Sequence, residues 1–338
     1  MISDADSTTR PNTGGWVPPD IIASPPILAW PPRPKAILKL VFGVPGYLFP
    51  WTPVYGCIAL LTWLYLTPDL EEMKTLEIGW IAQLFIVNLV LIVAITSAWH
   101  LHLYIRKAQG LKFKYNKRWP SDGDAFLFRS QLLDNMTWTI FGGVPVWTAY
   151  LALTFWMMAN GWVPYMSWAD HPVYCAVFML LIHLWHELHF YFVHRLIHWP
   201  PLYRRIHSVH HRNANPGPWS GLSMHPVEHV LYFSAVLIHW ILPSNPLLVI
   251  YNLQYLALGP CQDHCGFAKI DVSGKAEIDA ATYVHYLHHR YFEVNYGGGL
   301  MPLDKWFGTW HDGSAQAHEA MNRRFLKDPA TPQPEIGS

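Results

Sequence analysis

Long apolar stretches alternate with short polar breaks over the first half of the chain. Residues 36–67 are apolar but interrupted by prolines, and residues 79–105 and 136–169 contain no charged side chain. A further apolar run, residues 172–185, follows directly after a polar break. Because a helix that crosses a membrane needs about 20 apolar residues, this pattern predicts about four membrane spans.

The next apolar stretch, residues 230–259, is interrupted in the middle by Pro243-Ser244-Asn245-Pro246. Each half has about 12 residues and reaches roughly 20 Å as a helix, which is short of the hydrocarbon core of about 30 Å. We therefore predict a re-entrant hairpin that enters the membrane and returns. The predicted fold is an all-α integral membrane helical bundle of about four spans plus this hairpin.

The same pattern divides the chain into regions. We expect a polar N-terminal tail, a transmembrane region, a histidine-rich region that includes the hairpin, and a C-terminal tail, at residues 1–36, 37–190, 191–313 and 314–338. The N-terminal tail lacks the basic start and apolar core of a signal peptide. We expect it to lie along the membrane surface through its apolar residues Trp16, Ile21, Ile22 and Trp30.

Composition supports a membrane protein. Hydrophobic residues make up 51% of the chain and charged residues only 14%, whereas soluble domains carry about 25% charged residues. The 18 Trp and 17 Tyr are residues that favour membrane interfaces. The net charge of zero indicates no nucleic-acid partner.

Residues 106–129 form a basic loop in which lysine and arginine outnumber aspartate. Because basic loops face the cytoplasm, we expect this loop to be cytoplasmic. The span count then places both termini and the histidine-rich region on the same side, as a cytoplasmic helical cap. We expect a multi-pass protein of a bacterial inner membrane.

Histidine is the unusual residue type, with 20 in the chain. Eight of them form three clusters at spacings of three or four residues, which on a helix share one face. Eight imidazoles exceed what one metal ion needs and suit two, although imidazole binds Fe, Zn, Cu and Ni alike. The clusters are His194-x3-His198, His207-x2-His210-His211 and His285-x2-His288-His289.

The cysteines favour no second metal site. Cys261 and Cys265 flank His264, but a single pair at this spacing is weak support for zinc. The four cysteines of the chain imply no disulfide framework either.

Taken together, these motifs resemble the fatty acid hydroxylase/sterol desaturase superfamily of membrane di-iron enzymes. The resemblance covers about residues 130–313. It rests on the three histidine clusters and on four other runs, Met224-His225-Pro226-Val227-Glu228-His229, Asp263-His264-Cys265-Gly266, Asn295-Tyr296-Gly297 and the segment 302–309.

The resemblance implies a set of metal ligands. They are His194, His198, His207, His210, His211, His264, His285, His288 and His289. His225 and His229 are further candidates at i and i+4, but Pro226 disfavours the helical conformation at His225. Ligand imidazoles usually donate their second N–H to an acceptor, and we expect Glu187, Glu228 and Asp263 in that role.

The resemblance also implies the chemistry. Two Fe²⁺ ions would use O2 to hydroxylate or desaturate an unactivated C–H bond of a membrane lipid. The chain has no glycine-rich nucleotide fingerprint and no haem motif, so electrons are expected from an external NAD(P)H-linked donor. That partner would be a ferredoxin or a b-type cytochrome with its reductase.

Three alternatives for the function stay open. The lipid is either a sterol-like molecule or a polar lipid, as for bacterial ornithine-lipid hydroxylases. More remotely, the chain is a metal-binding membrane protein without enzymatic activity. A metal transporter, however, should place its ligands near the middle of the bilayer, whereas these histidines follow the ends of spans.

Overall fold

The computed structural model describes residues 15–120, 122–272 and 274–327, and these are mostly helical. Its α-helices are α1 Pro34–Phe42, α2 Trp51–Leu66, α3 Ile78–His100, α4 Gln131–Trp138, α5 Val144–Ala159, α6 Pro172–Ile197, α7 Pro200–Leu202, α8 Ser208–His211, α9 Pro226–Phe233, α10 Ile238–Ile241, α11 Pro246–Asp263, α12 Tyr283–Tyr291, α13 Leu303–Trp306 and α14 Ala315–Lys327. Tighter or wider turns extend or join several of them, at Leu70–Lys74, Leu101–Ile105, Leu127–Arg129, Thr139–Gly143, Tyr203–His207, Pro218–Ser220 and Ser234–Leu237.

Three of the helical segments are long and apolar enough to cross a membrane. They are Ile78–Ile105, Gln131–Ala159 and Pro172–Ile197. The first apolar stretch of the sequence instead splits into α1 and α2, and α2 has only 16 residues, or about 24 Å. The expected fourth span is therefore shorter than the hydrocarbon core, because the chain between Gly43 and Pro50 is not helical.

The predicted hairpin is present as two helical arms, α9–α10 and α11. Asn245 begins the second arm by accepting a hydrogen bond from the Leu248 amide at 3.2 Å. The turn between the arms is tied to the α5–α6 connection, where the Ser244 amide donates to the Pro164 carbonyl at 3.1 Å. The second arm, α11, is enclosed by α2, α3, α5 and α6.

The basic loop lies at the opposite end of the bundle, against the histidine-rich region. Arg212 donates to the Ala125 carbonyl at 2.7 Å, and Asn215 donates to the Arg118 carbonyl at 2.9 Å. Lys114 pairs with Phe267 as an isolated β-bridge.

A small antiparallel hairpin of two strands, β1 Lys269–Val272 and β2 Ala276–Asp279, follows α11. The periodicity of the sequence did not predict it. Lys112 of the basic loop holds β1 through an ion pair with Asp271 at 2.7 Å.

The N-terminal segment contradicts part of the membrane-surface prediction. Trp16 packs its ring on Phe113 and Tyr115, and the Ile22 amide donates to the Asp312 carbonyl at 2.8 Å. These two residues therefore pack on the protein, Trp16 on the basic loop and Ile22 on the chain that follows α12. Residues 1–14 of the expected tail lie outside the described residues.

Candidate metal centre

Four segments deliver histidines to one place at the cap end of the bundle. The end of α6 carries His194 and is followed by His198, and the turn Tyr203–His207 together with α8 carries the second cluster. His264 follows the last residue of α11. The third cluster lies on α12, whose first turn is capped by the Thr282 side chain accepting from the His285 amide at 3.4 Å.

These histidines form two compact groups of potential metal ligands. Within each group the candidate ligand atoms lie within 4.8 Å of one another. All are buried except His198, which is half-buried. The first group is His194, His198, His207, His211 and His288, and the second is His210, His264, His285 and His289.

The Nε2 atoms in each group approach one another closely. In the first group His198, His211 and His288 form a triangle with Nε2–Nε2 distances of 3.1–3.2 Å. In the second group the Nε2 atom of His264 lies 2.9 Å from that of His285 and 3.0 Å from that of His289. The two groups touch, since the His211 and His289 ring centroids are 5.0 Å apart.

The second nitrogen of several of these rings is bound to an oxygen that only accepts hydrogen bonds. Nδ1 of His264 donates to the Pro260 carbonyl at 2.9 Å, and Nδ1 of His210 donates to the Ser223 carbonyl at 3.3 Å. A neutral imidazole carries one N–H, so the Nε2 atoms of His264 and His210 both present lone pairs. These two atoms are 3.2 Å apart, which between neutral rings is repulsive.

A bound cation removes this repulsion. A proton does not serve, because burial lowers the pKa of His264 well below its usual range and the pKa of His210 to about 4. Burial likewise lowers the pKa of His285 and His289 well below the ordinary value. Neutral, buried, converging imidazoles are the donor set that a transition-metal ion requires.

The same arrangement recurs in the first group. Nδ1 of His288 donates to the Val294 carbonyl at 2.7 Å. Nδ1 of His194 donates to the Tyr296 carbonyl, also at 2.7 Å. The sequence could not reveal these backbone acceptors, although the run Asn295-Tyr296-Gly297 marks the segment that supplies them.

The three expected carboxylate acceptors have different roles. Glu228 accepts from Nδ1 of His207 at 2.7 Å, with both side chains buried. The expectation for Glu187 is wrong, because its carboxylate accepts from the amides of a distant loop, at 3.0 Å from Gly298 and 3.1 Å from Gly299. Glu187 lies on the same face of α6 as His194, but at Glu187 this face contacts the loop.

Asp263 does not hold an imidazole either. Its Oδ1 accepts from the amide and the hydroxyl of Thr282, at 2.9 and 3.1 Å. Since Thr282 caps α12, Asp263 positions the third histidine cluster indirectly.

His225 and His229 lie outside both groups. His225 precedes Pro226 in an extended conformation, with ψ of 144°, as the proline effect predicts. His229 is buried but its Nε2 bonds the Leu222 carbonyl at 3.1 Å. Neither histidine joins a group of potential metal ligands, because His225 lies before the helix and the two side chains do not share one helical face.

The cysteines are also outside the two groups. The four are free thiols, and Cys265 donates to the Phe267 carbonyl at 3.4 Å. Burial raises the pKa of Cys265 to about 12, so it stays a thiol.

A cavity of about 680 Å³ adjoins the histidines. His194, His207 and His285 line one part of it, and Tyr47, Phe190 and Tyr255 line another. Its size is within the range of pockets that bind drug-sized molecules. The arrangement thus combines two groups of potential metal ligands with an adjoining cavity that could bind an apolar molecule.

Comparison with known proteins agrees with these features. Residues 178–309 match the family model described as "Fatty acid hydroxylase". Two similar relatives are a Delta(7)-sterol 5(6)-desaturase of Aspergillus fumigatus, 31% identical over 169 residues, and a Delta(7)-sterol-C5(6)-desaturase of Nicotiana tabacum, 26% identical over 186 residues. The alignments cover 43% and 50% of this chain, and 52% and 63% of the relatives.

A third relative, the Delta(7)-sterol 5(6)-desaturase of Saccharomyces cerevisiae, is 31% identical over 121 residues, 36% of this chain and 32% of the relative. The chain thus spans about half the length of the curated relatives it matches. No solved structure matches. Residues 178–309 are therefore similar to the fatty acid hydroxylase/sterol desaturase superfamily, in agreement with the resemblance of the histidine motifs.

Proposed function

We propose that the protein is an O2-dependent di-iron oxidoreductase that hydroxylates or desaturates an unactivated C–H bond of a membrane lipid. The observation that carries the proposal is the opposition of imidazole lone pairs in two touching histidine groups. The adjoining cavity of about 680 Å³ would receive the lipid.

In this proposal each histidine group holds one iron ion. The first ion would be held by the five histidines of the first group, and the second ion by the four of the second group. Imidazole does not distinguish iron from zinc or copper, so the similarity of residues 178–309 to the superfamily is what favours iron. Bound iron would supply the reduction of O2 and the oxidation of the C–H bond.

The side chains around the histidines orient the ligands. Glu228 holds His207, and backbone carbonyls hold His194 and His288, each in the tautomer that leaves Nε2 free. Such partners set ring orientation and ligand basicity. Burial of the groups excludes water from the site, and the aromatic cavity wall holds the lipid beside it.

We propose a sterol-like substrate, because the similar relatives are named as sterol desaturases. A polar-lipid hydroxylase of the ornithine-lipid type is the alternative. Electrons would come from an external ferredoxin or b-type cytochrome with an NAD(P)H-linked reductase. We further propose that the histidine centre lies on the cytoplasmic side, since it shares its end of the bundle with the basic loop.

Lipid analysis after gene deletion and restoration tests the proposal. The wild-type gene should restore a lipid that differs from its precursor by one oxygen or two hydrogens. The double variant His288→Ala/His289→Ala should not restore it and should lose iron, measured by elemental analysis of the purified protein. The matched control His171→Ala changes an exposed histidine outside both groups and should restore the product.

Two results would overturn the proposal. One is full restoration of the product by the double variant. The other is a wild-type protein that binds metal but consumes no O2 when membrane lipid is supplied with a reductant, which is expected of a metal-binding protein without enzymatic activity.

A further inference from the structure

One face of α6 connects the metal centre to the interior of the cavity. His186, Phe190 and His194 follow one another at intervals of four residues, and all three line the cavity. The rings of His186 and Phe190 stack at 5.6 Å with an interplanar angle of 18°. The rings of Phe190 and His194 stack at 4.7 Å and 30°.

His186 is the imidazole of this stack that belongs to neither metal group. It lies in the interior of the apolar segment Pro172–Ile197. The edges of Tyr255 and Tyr232 flank its ring at centroid distances of 5.3 and 6.1 Å. It makes no ring contact with a histidine of either metal group among the described residues.

The imidazole of His186 lacks the hydrogen bonding that its neighbours on the helix have. Nε2 of His183 pairs with the Tyr251 hydroxyl at 2.5 Å, and Nε2 of His189 pairs with the Ser234 hydroxyl at 2.9 Å. Nε2 of His186 has no partner in the described part of the chain. A polar group buried in a span without a partner is costly, and such residues mark functional sites.

We propose that His186 binds a neutral oxygen, a hydroxyl or a carbonyl, of the lipid substrate, an assignment that rests on the proposed function. A neutral imidazole can donate to or accept from such an oxygen. A 180° flip of the ring exchanges its nitrogens and carbons, so the ring can present a nitrogen to the cavity. The surrounding aromatic rings make this position costly for a charged head group.

The position of His186 limits which lipid carbon is oxidised. His186 and His194 are eight residues apart on the helix, which is about 12 Å along its axis. An oxygen held at His186 therefore brings to the metal centre those carbons that lie roughly one such distance from the oxygen, and leaves the far end of a long acyl chain beyond reach. This favours a lipid alcohol such as a sterol over a lipid with a charged head group.

Binding of two probes that differ by one hydroxyl tests the assignment. The full-length wild-type protein in phosphatidylcholine nanodiscs is loaded with tritiated cholesterol, and unlabelled cholesterol and cholest-5-ene compete for it. The wild type should prefer cholesterol by about 5–10-fold, the contribution of one hydrogen bond. His186→Phe should abolish the preference, and His186→Gln should retain part of it.

The matched control is His189→Phe, which changes the same residue type one turn away, where the side chain bonds Ser234 instead. It should keep the preference, and thermal midpoints should show that both variants fold. Equal affinity of the wild type for the two probes, or a preference that survives His186→Phe, would overturn the assignment.

Iron content and lipid oxidation are measured on the same preparations, so the two hypotheses fail separately. A preference that depends on His186, in a protein that holds no iron and oxidises no lipid, contradicts the proposed function alone. Lipid oxidation with binding that is independent of His186 contradicts this inference alone.

Discussion

Glu228 differs from the other partners of the predicted ligands, because it holds its histidine with a carboxylate rather than a backbone carbonyl. Its Oε1 accepts from Nδ1 of His207 at 2.7 Å, and both side chains are almost fully buried. A side-chain acceptor can be removed by substitution, whereas a backbone acceptor cannot. Glu228 is therefore the place where the contribution of such a partner can be measured.

We expect Glu228→Ala to weaken iron binding by about 10–100-fold, the usual effect of losing the acceptor of a ligand histidine. Glu228→Gln should lose less, since the amide oxygen can still accept from His207. The measurement is a titration of the loaded protein with an iron chelator. The control Glu319→Gln changes an exposed glutamate on α14, and unchanged iron affinity in Glu228→Ala would contradict the prediction.

Glu187 shows why residue spacing alone was insufficient. It precedes His194 by two helical turns, so the sequence predicted a shared role in the metal site. Its carboxylate instead accepts hydrogen bonds from the amides of Gly298, Gly299 and Leu300. A contact between residues so far apart along the chain cannot be predicted from a local sequence pattern. The clustered histidines were predictable because their spacing is local, as was the effect of Pro226 on His225.

We expect Glu187→Gln to destabilise the fold by about 3 kcal/mol. The NH2 group of glutamine would face backbone N–H donors, and the remaining hydrogen bonds would no longer be charge-assisted. Gly298→Ala should act in the same direction, since its Cβ would lie 2.7 Å from Glu187 Oε2. Thermal unfolding followed by tryptophan fluorescence measures both. The exposed Glu72→Gln serves as control, and a thermal midpoint in Glu187→Gln equal to that of the control would refute the expectation.

At the scale of elements, α12 depends on a cap that is itself held in place. Thr282 accepts from the His285 amide, and Asp263 accepts from Thr282. The cap thus links the end of α11, next to His264, to the helix that carries three more histidines.

We expect Thr282→Ala to cost about 1 kcal/mol, the usual effect of losing an N-cap side chain. Iron affinity should fall with it, because α12 supplies ligands to both groups. Thr282→Ser preserves the hydroxyl and is the matched control. Thermal midpoint and chelator titration measure the two effects, and an alanine variant that behaves like the serine variant would show that the cap is dispensable.

Helices that depend on the length of an apolar run could be predicted from the sequence. Elements that depend on contacts between distant residues could not. The runs that became α3, α5 and α6 were read correctly as helices of spanning length or as parts of them. The hairpin of β1 and β2 was missed, since its strands of four residues are held by Lys112 from the distant basic loop. The fourth span expected in residues 36–67 is only the 16-residue helix α2, since the proline-rich turn before it is apolar but not helical.

At the scale of the whole molecule, the two ends of the bundle are chemically different. One end combines the basic loop with the histidine groups. The other end combines the α5–α6 connection with the turn of the α9–α11 hairpin. This asymmetry makes the orientation in the membrane testable with single cysteines.

We expect Asp124→Cys, in the basic loop, to react with a membrane-impermeant maleimide only from the cytoplasmic side. Asp170→Cys, in the α5–α6 connection, should react only from the opposite side. Both substitutions are made in a Cys57→Ser background, because Cys57 is exposed whereas Cys175, Cys261 and Cys265 are buried. Labelling of both positions from the same side would rule out the proposed arrangement.

Neighbouring histidines on one short helix serve different groups. On α8, His210 belongs to the second group and His211 to the first, and on α12 His288 and His289 are divided in the same way. When an ion binds one group, it fixes the position of α8 or α12. The neighbouring histidine on that helix is then also positioned to bind the second ion. Iron loading should therefore be cooperative, with the singly occupied form scarce at equilibrium and the two ions entering and leaving the protein together.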